Sequence, residues 1–232
     1  MPPRAVLTDI EGTTSRIAFV HDVLFPYART HLPALLAERS AEPEVAAALA
    51  EVDRLAPGQD RLAALLGWMD QDAKVTPLKA LQGLVWRDGY ARGELKGDLY
   101  PDVAPCLRAW AATGVRLFVY SSGSVAAQRL IFGHATAGDL TGLFAGFFDT
   151  RIGAKREAGS YARIVGEIGV APDAVLFLSD VVAELDAAAR AGLATCQLVR
   201  AEDRTVPSDT HVTAADFHDV ARRFGLAPER AA

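Results

Sequence analysis

Cysteine is scarce in this sequence of 232 residues. It occurs only at Cys106 and Cys196, which lie far apart in the chain. Neither residue has a partner at the short spacing typical of zinc sites, and each sits among apolar neighbours. Free Cys in such surroundings behaves as a small buried hydrophobe. The sequence therefore predicts two buried free thiols and argues against a disulfide framework or a structural zinc site.

Long apolar runs and clusters of basic residues are also missing. No apolar run approaches the roughly 20 residues that a membrane-spanning helix needs. The 24 Lys and Arg residues are outnumbered by 29 Asp and Glu residues, for a formal net charge of −5. No Lys- or Arg-rich stretch is available to neutralise nucleic-acid phosphates. We therefore expect neither a membrane nor a nucleic acid as a partner.

What the sequence does contain is an alternation of short apolar runs with helical patterns. The first apolar run begins at Ala5, and the pattern predicts further strands at residues 115–120, 146–149, 174–178 and 195–199. Helical patterns follow these strands at residues 124–132, 160–168, 183–191 and 216–224. Such alternation predicts an α/β fold, in which helices cover both faces of a parallel sheet.

One long segment interrupts the alternation after the first strand. Residues 20–95 carry apolar residues at helical spacing with no convincing strand, and we expect Pro26 to limit any helix around it. We predict a core domain of residues 1–18 and 100–232 and a helical cap domain of residues 19–99. An all-helical insert of this kind would act as a lid over the sheet edge, or would merely enlarge the core.

Acidic and small residues follow the first strand directly. Asp9 and Glu11 flank one residue, and Gly12 comes next. In an α/β protein this position lies where ligands bind, and two acids so close are costly unless a cation or proton chemistry uses them. We interpret Asp9 as a nucleophile towards phosphorus and Glu11 as its acid/base partner. The alternative is an ordinary turn, in which Asp9 bonds its own backbone and Gly12 supplies a positive φ.

Two later strand ends offer groups that would bind a phosphate. Ser121 and Ser122, followed by a glycine, precede a predicted helix whose N-terminus would favour an anion, although helix capping by Ser122 or Ser124 explains the same pattern. Lys155 lies between a strand and a helix, where it would neutralise charge on a transferring phosphoryl group. The commoner role for a lysine in such a loop is simple exposure to solvent.

The fourth strand end again places an acid after an apolar run. Asp180 follows residues 174–178, and Glu184 lies about one helical turn further on. Asp180 would share a Mg²⁺ ion with Asp9, since Mg²⁺ is held by few carboxylates together with water and phosphate. The alternatives are a helix cap for Asp180 and, for Glu184, either a surface position or a role in orienting a ligand or Lys155. Together the four strand ends supply what metal-assisted phosphoryl transfer requires.

These four motifs, in this order, resemble those of the haloacid dehalogenase-like superfamily. Its usual first motif is D-x-D-G-T, and here Glu11 replaces the second acid. That departure resembles the enolase-phosphatase (acireductone synthase) family of methionine salvage. The supporting strings are Asp9-Ile-Glu-Gly-Thr-Thr14, Phe19-Val-His-Asp-Val-Leu-Phe-Pro-Tyr27, Leu81-Gln-Gly-Leu-Val-Trp86, Tyr120-Ser-Ser-Gly-Ser-Val125, Phe132-Gly-His134, Lys155 with Ser160-Tyr161, and Phe177-Leu-Ser-Asp180 with Glu184.

The resemblance implies a Rossmann-like core, a helical cap and a bifunctional reaction. The enzyme would enolise 2,3-diketo-5-methylthiopentyl-1-phosphate and then remove its phosphate, giving the acireductone 1,2-dihydroxy-3-keto-5-methylthiopentene. By the same resemblance, Asp9 would bind Mg²⁺ and act as nucleophile, and Asp180 would be a second metal ligand. The Glu11 carbonyl would be a third ligand while its side chain handles protons. Ser121, Ser122 and Lys155 would hold the phosphate, in a monomer with one Mg²⁺ per chain.

Two other functions fit the motifs. One is a phosphatase of the same superfamily acting on another small phosphate ester, such as a sugar phosphate. The other is a non-catalytic protein that binds a phosphorylated metabolite, although the presence of every motif acid argues against it. Because Asp9 lies within the first ten positions, a cleavable signal would have no room, and we expect a cytoplasmic protein.

Overall fold

The computed structural model describes residues 2–71 and 73–226. The chain divides into two compact units, one formed by residues 1–17 and 97–232 and the other by residues 18–96. The boundaries predicted from the sequence followed residues 18 and 99. That the second unit serves as a cap remains a prediction.

The first unit is built on a six-stranded sheet. Its strands are β1 (Ala5–Thr8), β2 (Arg116–Tyr120), β3 (Phe144–Phe148), β4 (Val175–Ser179), β5 (Ala194–Leu198) and β6 (Val212–Ala214). They lie in the order β3-β2-β1-β4-β5-β6, and every neighbouring pair is parallel. This confirms the predicted α/β class with a Rossmann-like sheet. The chain runs outward from β1 in both directions, which makes the β1–β4 boundary the topological switch point where ligands bind.

Helices pack on this sheet through apolar side chains. They are α6 (Val103–Ala112), α7 (Val125–Gly133), α8 (Ala158–Ile168), α9 (Val182–Arg190) and α10 (Phe217–Phe224). A core cluster joins Tyr161 and Ile164 of α8 and Leu185 of α9 to Leu7 and Phe177 of the central strands. Elsewhere α6 and α10 contact each other through the stacked rings of Trp110 and Phe217, 5.1 Å apart. Burial of these apolar surfaces is the main force that holds the strand ends in register.

The second unit has its own helical core. Its α-helices are α1 (Ile17–Phe19, which begins at the boundary), α2 (Phe25–Arg39), α3 (Pro43–Leu55), α4 (Arg61–Asp70) and α5 (Thr76–Ala91). Leu32, Leu49, Leu65 and Leu81, one from each of α2 to α5, are all fully or almost fully buried in one cluster. Every regular element described in this unit is helical, as the apolar spacing predicts. No helix among the described residues is both long and apolar enough to cross a membrane.

The expectation that Pro26 limits the helix around it is wrong. The chain is helical without a break from Ile17 to Arg39, and Pro26 lies in the first turn of α2. The preceding segment, Val20–Leu24, is a π-helix, and the Phe25 N–H donates to the carbonyl five residues earlier, at Val20. A proline ring is excluded from a helix because it lacks an N–H and crowds the carbonyl four residues before it. Here the bond from Phe25 already runs five residues back, and Pro26 lies in the first turn of α2, the one part of a helix that tolerates proline.

Three further differences concern the sheet unit. The third strand begins at Phe144, two residues before the predicted start at 146. Strand β6 and helix α6 were not predicted at all. Strand β6 has only three residues and exposes Val212, so its pattern does not differ from that of a loop. These elements lie at the sheet edge or on its face, and they leave the predicted strand ends of β1, β2 and β4 in place.

Both cysteines are free and buried, as predicted. Burial raises the pKa of each thiol to about 12. Because the thiolate is the nucleophile, we expect a disulfide reagent such as Ellman's reagent to leave the folded chain unmodified at pH 8 and to titrate two thiols after denaturation. Each folded thiol keeps its proton above pH 9, whereas an unfolded thiol loses it. The thiols' contribution to stability therefore falls as pH rises from about 9 to 12. Rapid labelling of the native protein would contradict this assignment.

Candidate active site

The predicted acids lie at the switch point of the sheet. Thr8, the last residue of β1, pairs with Val119 of β2 on one side and with Leu178 of β4 on the other. The Asp9 N–H continues this pairing by donating to the Leu178 carbonyl at 2.9 Å. Asp9 is only 4% exposed. The strand register thus brings the residues that follow β1, β2 and β4 to one edge.

The loop after β1 folds back on itself. The Asp9 Oδ1 atom accepts from the Ile10 N–H at 2.7 Å, and the Thr14 hydroxyl donates to the Asp9 carbonyl at 3.2 Å. Gly12 has φ +69°, and its N–H donates to the Ser15 carbonyl at 2.8 Å. The turn interpretation is therefore correct for the backbone: the Asp9 side chain bonds a local N–H, and Gly12 has a positive φ. It does not account for the lysine that meets the same carboxylate.

Lys155 is buried between two carboxylates. Its Nζ lies 2.7 Å from Asp9 Oδ1 and 2.6 Å from Glu184 Oε2, and its side chain is 9% exposed. Burial by itself disfavours the ammonium form, but the charges of Asp9 and Glu184 outweigh it and raise the Lys155 pKa. The alternative of a solvated loop lysine is wrong. A permanent cation therefore stands beside the proposed nucleophile.

Glu184 faces inward from the first turn of α9. Its Oε2 accepts from the Ser179 hydroxyl at 3.0 Å as well as from Lys155. Burial and the charge of Asp9 raise the pKa of Glu184, and Lys155 and the Ser179 hydroxyl oppose that shift. These contacts favour the interpretation in which Glu184 orients Lys155, and they exclude a surface position.

Asp180 does not cap the next helix. The Val181 N–H is instead bonded by the Ser179 hydroxyl at 3.1 Å, and the N-cap of α9 has no side-chain hydrogen bond. Within the described part of the chain, the buried Oδ1 atom of Asp180 has no hydrogen-bond partner. Burial and the charge of Asp9 raise the pKa of Asp180 to about 7. A buried carboxylate oxygen without a partner is the exception in folded proteins, and a bound cation is one group that would satisfy it.

These residues fit a single Mg²⁺ ion. One ammonium, from Lys155, contacts the buried carboxylates of Asp9 and Glu184, and the partly buried carboxylate of Asp180 lies close enough to feel the charges of Asp9 and Lys155, so acids outnumber bases in the cluster. Across residues 2–71 and 73–226, no three His, Cys, Asp or Glu side chains group as a metal cage. Mg²⁺ does not require one, because it is usually held by one or two carboxylates, with water and substrate phosphate completing the octahedron. The unpartnered Asp180 oxygen is the atom that such an ion would satisfy.

Gly12 leaves the space that Asp180 occupies. A Cβ atom on Gly12 would lie 2.5 Å from Asp180 Oδ2, closer than real contacts allow. We expect Gly12→Ala to displace the Asp180 carboxylate, weaken Mg²⁺ activation at least tenfold, and destabilise the fold by about 1–2 kcal/mol through the positive φ. The Mg²⁺ concentration dependence of turnover and the thermal midpoint would measure the two effects.

Gly114→Ala is the matched control for that substitution. Gly114 belongs to the same unit and has φ +84°, but a Cβ there meets no described atom within 4 Å. It should lose similar stability while keeping its Mg²⁺ dependence. Equal Mg²⁺ dependence in the two variants would show that the position of the Asp180 carboxylate next to Gly12 does not affect Mg²⁺ activation.

The Ser121–Ser122 segment follows the end of β2 and lies next to the end of β3. The Ser121 N–H donates to the Phe148 carbonyl at 3.2 Å, and its buried hydroxyl accepts from the Gly123 N–H at 3.2 Å. Ser122 is partly exposed. Capping of α7 falls to Ser124, whose hydroxyl accepts from the Ala127 N–H at 3.2 Å. Helix capping is therefore the role of Ser124, and the anion-site interpretation of Ser121 and Ser122 stays a prediction.

Glu11 is partly exposed, unlike Asp9. It forms an isolated parallel bridge with Ser15, which closes the loop after β1. Glu11 is thus more exposed than Asp9 and Glu184, which are 4% and 9% exposed. A group that exchanges protons with solvent during turnover requires such access.

Two tyrosines help to place Lys155. The sequence assigns neither of them a functional role. The Tyr161 hydroxyl donates to the Lys155 carbonyl at 2.7 Å, and the Tyr120 hydroxyl donates to the Gly153 carbonyl at 2.9 Å. Their rings meet edge to face, 5.5 Å apart. In the sequence, these tyrosines stand at the end of a predicted strand and at the start of a predicted helix. Core residues occupy such positions equally often, so the sequence does not reveal their contact with the Lys155 loop.

Comparison with known protein families agrees with this geometry. The family model described as haloacid dehalogenase-like hydrolase matches residues 3–192. That range contains Asp9, Lys155 and Asp180. The chain belongs to the haloacid dehalogenase-like hydrolases.

Curated relatives of this hydrolase match over nearly their full length. Enolase-phosphatase E1 of Gluconacetobacter diazotrophicus is 61% identical over 222 residues, covering 96% of this chain and 94% of the relative. Enolase-phosphatase E1 of Granulibacter bethesdensis is 59% identical, covering 97% of this chain and 98% of the relative. The resemblance noted in the sequence strings is therefore confirmed over nearly the whole chain.

Solved structures of similar proteins share the fold. The UTR4 protein of Saccharomyces cerevisiae is 34% identical with a TM-score of 0.79, covering 92% of this chain and 98% of that protein. CbbY of Rhodobacter sphaeroides, solved in complex with phosphate, has a TM-score of 0.62 at 18% identity, covering 94% of this chain and 96% of CbbY. At that identity the second likeness concerns the fold alone.

Proposed function

We propose that this hydrolase is a Mg²⁺-dependent enolase-phosphatase, an acireductone synthase. It converts 2,3-diketo-5-methylthiopentyl-1-phosphate to 1,2-dihydroxy-3-keto-5-methylthiopentene and phosphate. One observation carries the proposal. The Lys155 ammonium contacts Asp9 at 2.7 Å and Glu184 at 2.6 Å, and the nearby Asp180 has a carboxylate oxygen without a described hydrogen-bond partner. Relatives at 61% and 59% identity, each named enolase-phosphatase E1, support the choice of substrate.

Phosphoryl transfer assigns a role to each residue at the sheet edge. Asp9 attacks phosphorus with one carboxylate oxygen while Lys155, which contacts Oδ1, neutralises charge on the transferring group. Ser121 and Ser122 hold the phosphate through their hydroxyls. Glu11, the partly exposed acid, protonates the leaving oxygen and then activates the water that hydrolyses the phospho-aspartate.

Mg²⁺ would be held by Asp9, Asp180 and the Glu11 carbonyl. When bound, it supplies Lewis-acid stabilisation of charge on the phosphate and on a neighbouring carbonyl. The carbonyl next to the phosphate ester makes its adjacent C–H acidic, so one electrophilic edge of the sheet serves both steps. Glu11 is our candidate for the base that removes this proton.

The test is to supply the diketone phosphate and to record enol formation and phosphate release separately. We expect an enol intermediate first, phosphate second, and loss of phosphate release when a chelator removes Mg²⁺. Phosphate release without an enol intermediate, or faster release from a sugar phosphate, would identify a different phosphatase of this family. Binding of the phosphate ester without any turnover would indicate a non-catalytic binding protein.

The remaining expectations about partners are part of the same proposal. The enzyme acts on a small phosphate ester as a monomer in the cytoplasm, with one Mg²⁺ per chain and no nucleic-acid or membrane partner. Sedimentation equilibrium at micromolar concentration should give the mass of a single 24.7 kDa chain. A dimer mass would overturn the monomer assignment without affecting the chemistry.

A further inference from the structure

The loop that carries Asp9 and Glu11 is held from outside at two carbonyl oxygens. The Tyr100 N–H donates to the Thr14 carbonyl at 3.0 Å. The guanidinium of Arg200 donates to the Thr13 carbonyl through Nε at 3.1 Å and through Nη2 at 2.8 Å. Thr13 is two residues from Glu11, so a contact that fixes the Thr13 carbonyl also restricts the backbone of the loop that carries Glu11.

Arg200 is itself fixed by a buried ion pair. Nη1 and Nη2 donate to the two carboxylate oxygens of Asp102, each at 3.0 Å, and both residues are buried. Asp102 also accepts from the Phe217 N–H at 2.8 Å, which joins it to the start of α10. The guanidinium lies 4.0 Å from the centre of the Tyr100 ring. One planar side chain therefore ties the loop after β1 to α6, α10 and the chain after β5.

Such a pair is a poor means of gaining stability. The desolvation of two buried charges offsets most of their attraction, and apolar replacements of similar volume are often neutral or stabilising. What a guanidinium provides is a rigid fork with donors in fixed directions, which a lysine cannot reproduce. The geometry of Arg200 therefore points to placement of the loop as its purpose.

We propose that Arg200, held by Asp102, is a positioning residue for the catalytic loop. It fixes the Thr13 carbonyl so that Asp9 stays in line with Lys155 and the Glu11 carbonyl stays where the metal would meet it. The inference rests on the proposed phosphoryl transfer at Asp9, but not on the identity of the ester. Displacements of about 1 Å in a catalytic group are enough to cost about 100-fold in rate.

The test uses Arg200→Lys, Arg200→Met and Asp102→Asn, assayed with p-nitrophenyl phosphate as well as the diketone phosphate. We expect kcat to fall about 10- to 100-fold in each variant while KM changes little, since the loss is confined to the transition state. Two readouts are independent of turnover. Mn²⁺ binding to the folded variant should weaken, and the amides of residues 12–15 should exchange faster than those of the central strands.

The matched control is Arg223→Met, which removes an exposed arginine that pairs with Asp219 in the same unit. It should leave kcat, Mn²⁺ binding and loop exchange unchanged. Full kcat in Arg200→Lys, with only a lower thermal midpoint, would overturn the proposal and leave Arg200 a merely structural residue. If Arg200→Met fails to fold, Arg200→Lys and Asp102→Asn decide the question.

The result also separates this inference from the proposed substrate. If the native protein hydrolyses p-nitrophenyl phosphate but not the diketone phosphate, the substrate assignment fails and the role of Arg200 is still tested. If the native protein turns over both esters but loop exchange and kcat are unchanged in the variants, the role of Arg200 fails alone.

Discussion

Asp9→Asn should abolish turnover, with kcat reduced by about 10⁴-fold or more. An amide oxygen does not attack phosphorus as a carboxylate does, and loss of a nucleophile removes covalent catalysis altogether. The size of asparagine matches that of aspartate, and its amide oxygen still accepts from the Ile10 N–H. The loop should therefore keep its shape. Single-turnover phosphate release and equilibrium binding of inorganic phosphate would separate chemistry from affinity.

The same substitution should not unfold the protein. Asp9 lies in a cluster with an excess of buried carboxylates, so removing one negative charge relieves repulsion with Asp180. Lys155 retains its contact with Glu184 at 2.6 Å. The thermal midpoint of the metal-free protein should stay the same or rise. A kcat near that of the native enzyme would exclude Asp9 as the nucleophile, whatever the stability.

Asp173→Asn provides the control for that experiment. Asp173 is exposed, in the short 3₁₀ turn before β4, and the substitution changes the net charge by the same amount. Turnover should be unaffected. A comparable loss in both variants would point to a general effect of charge on the protein and not to the chemistry of Asp9.

The sequence predicts which residues meet at the sheet edge better than it predicts the order of the strands that bring them there. Asp9, Lys155 and Asp180 each follow a short apolar run, and the carboxyl ends of parallel strands meet at one edge whatever their order. Their proximity therefore follows from local pattern alone. Strand order depends on long-range packing, which is why the position of β1 between β2 and β4 appears only in the structure.

The sequence does not reveal residues that position a catalytic group without contacting the substrate. Arg200 follows β5 in a segment that reads as an ordinary tail, and Asp102 precedes a helix that was not predicted. Their partnership spans 98 positions and depends on both strand order and helix placement. Glu184 was placed one turn from Asp180, but only packing of α9 decides that it faces Lys155.

Lys155→Met should lower kcat by about 10²- to 10³-fold and also destabilise the protein. The Nζ atom is the positive charge beside Asp9 Oδ1, and loss of one preorganised electrostatic contact at a transferring group has an effect of this size. Removing the cation also leaves Asp9 and Glu184 buried without it. Breaking a buried pair in this way costs about 3–5 kcal/mol. Urea unfolding without divalent ions, together with kcat at saturating substrate, would measure both losses.

A double-mutant cycle with Glu184→Gln tests whether the two partners act as a unit. Glutamine keeps an acceptor for the Ser179 hydroxyl but removes one buried charge. The double variant should therefore be more stable than the sum of the single losses predicts, by about 0.5–3 kcal/mol. Its kcat should remain as low as that of Lys155→Met, because the charge beside Asp9 is still missing.

Lys96→Met is the control for Lys155→Met, because Lys96 is exposed and the same atoms are changed. It should alter neither the free energy of unfolding nor kcat by a measurable amount. The decisive comparison is between stability and turnover in Lys155→Met itself. A folded variant with undiminished kcat would mean that the lysine only neutralises buried carboxylates, and phosphoryl transfer would then need another cation beside Asp9.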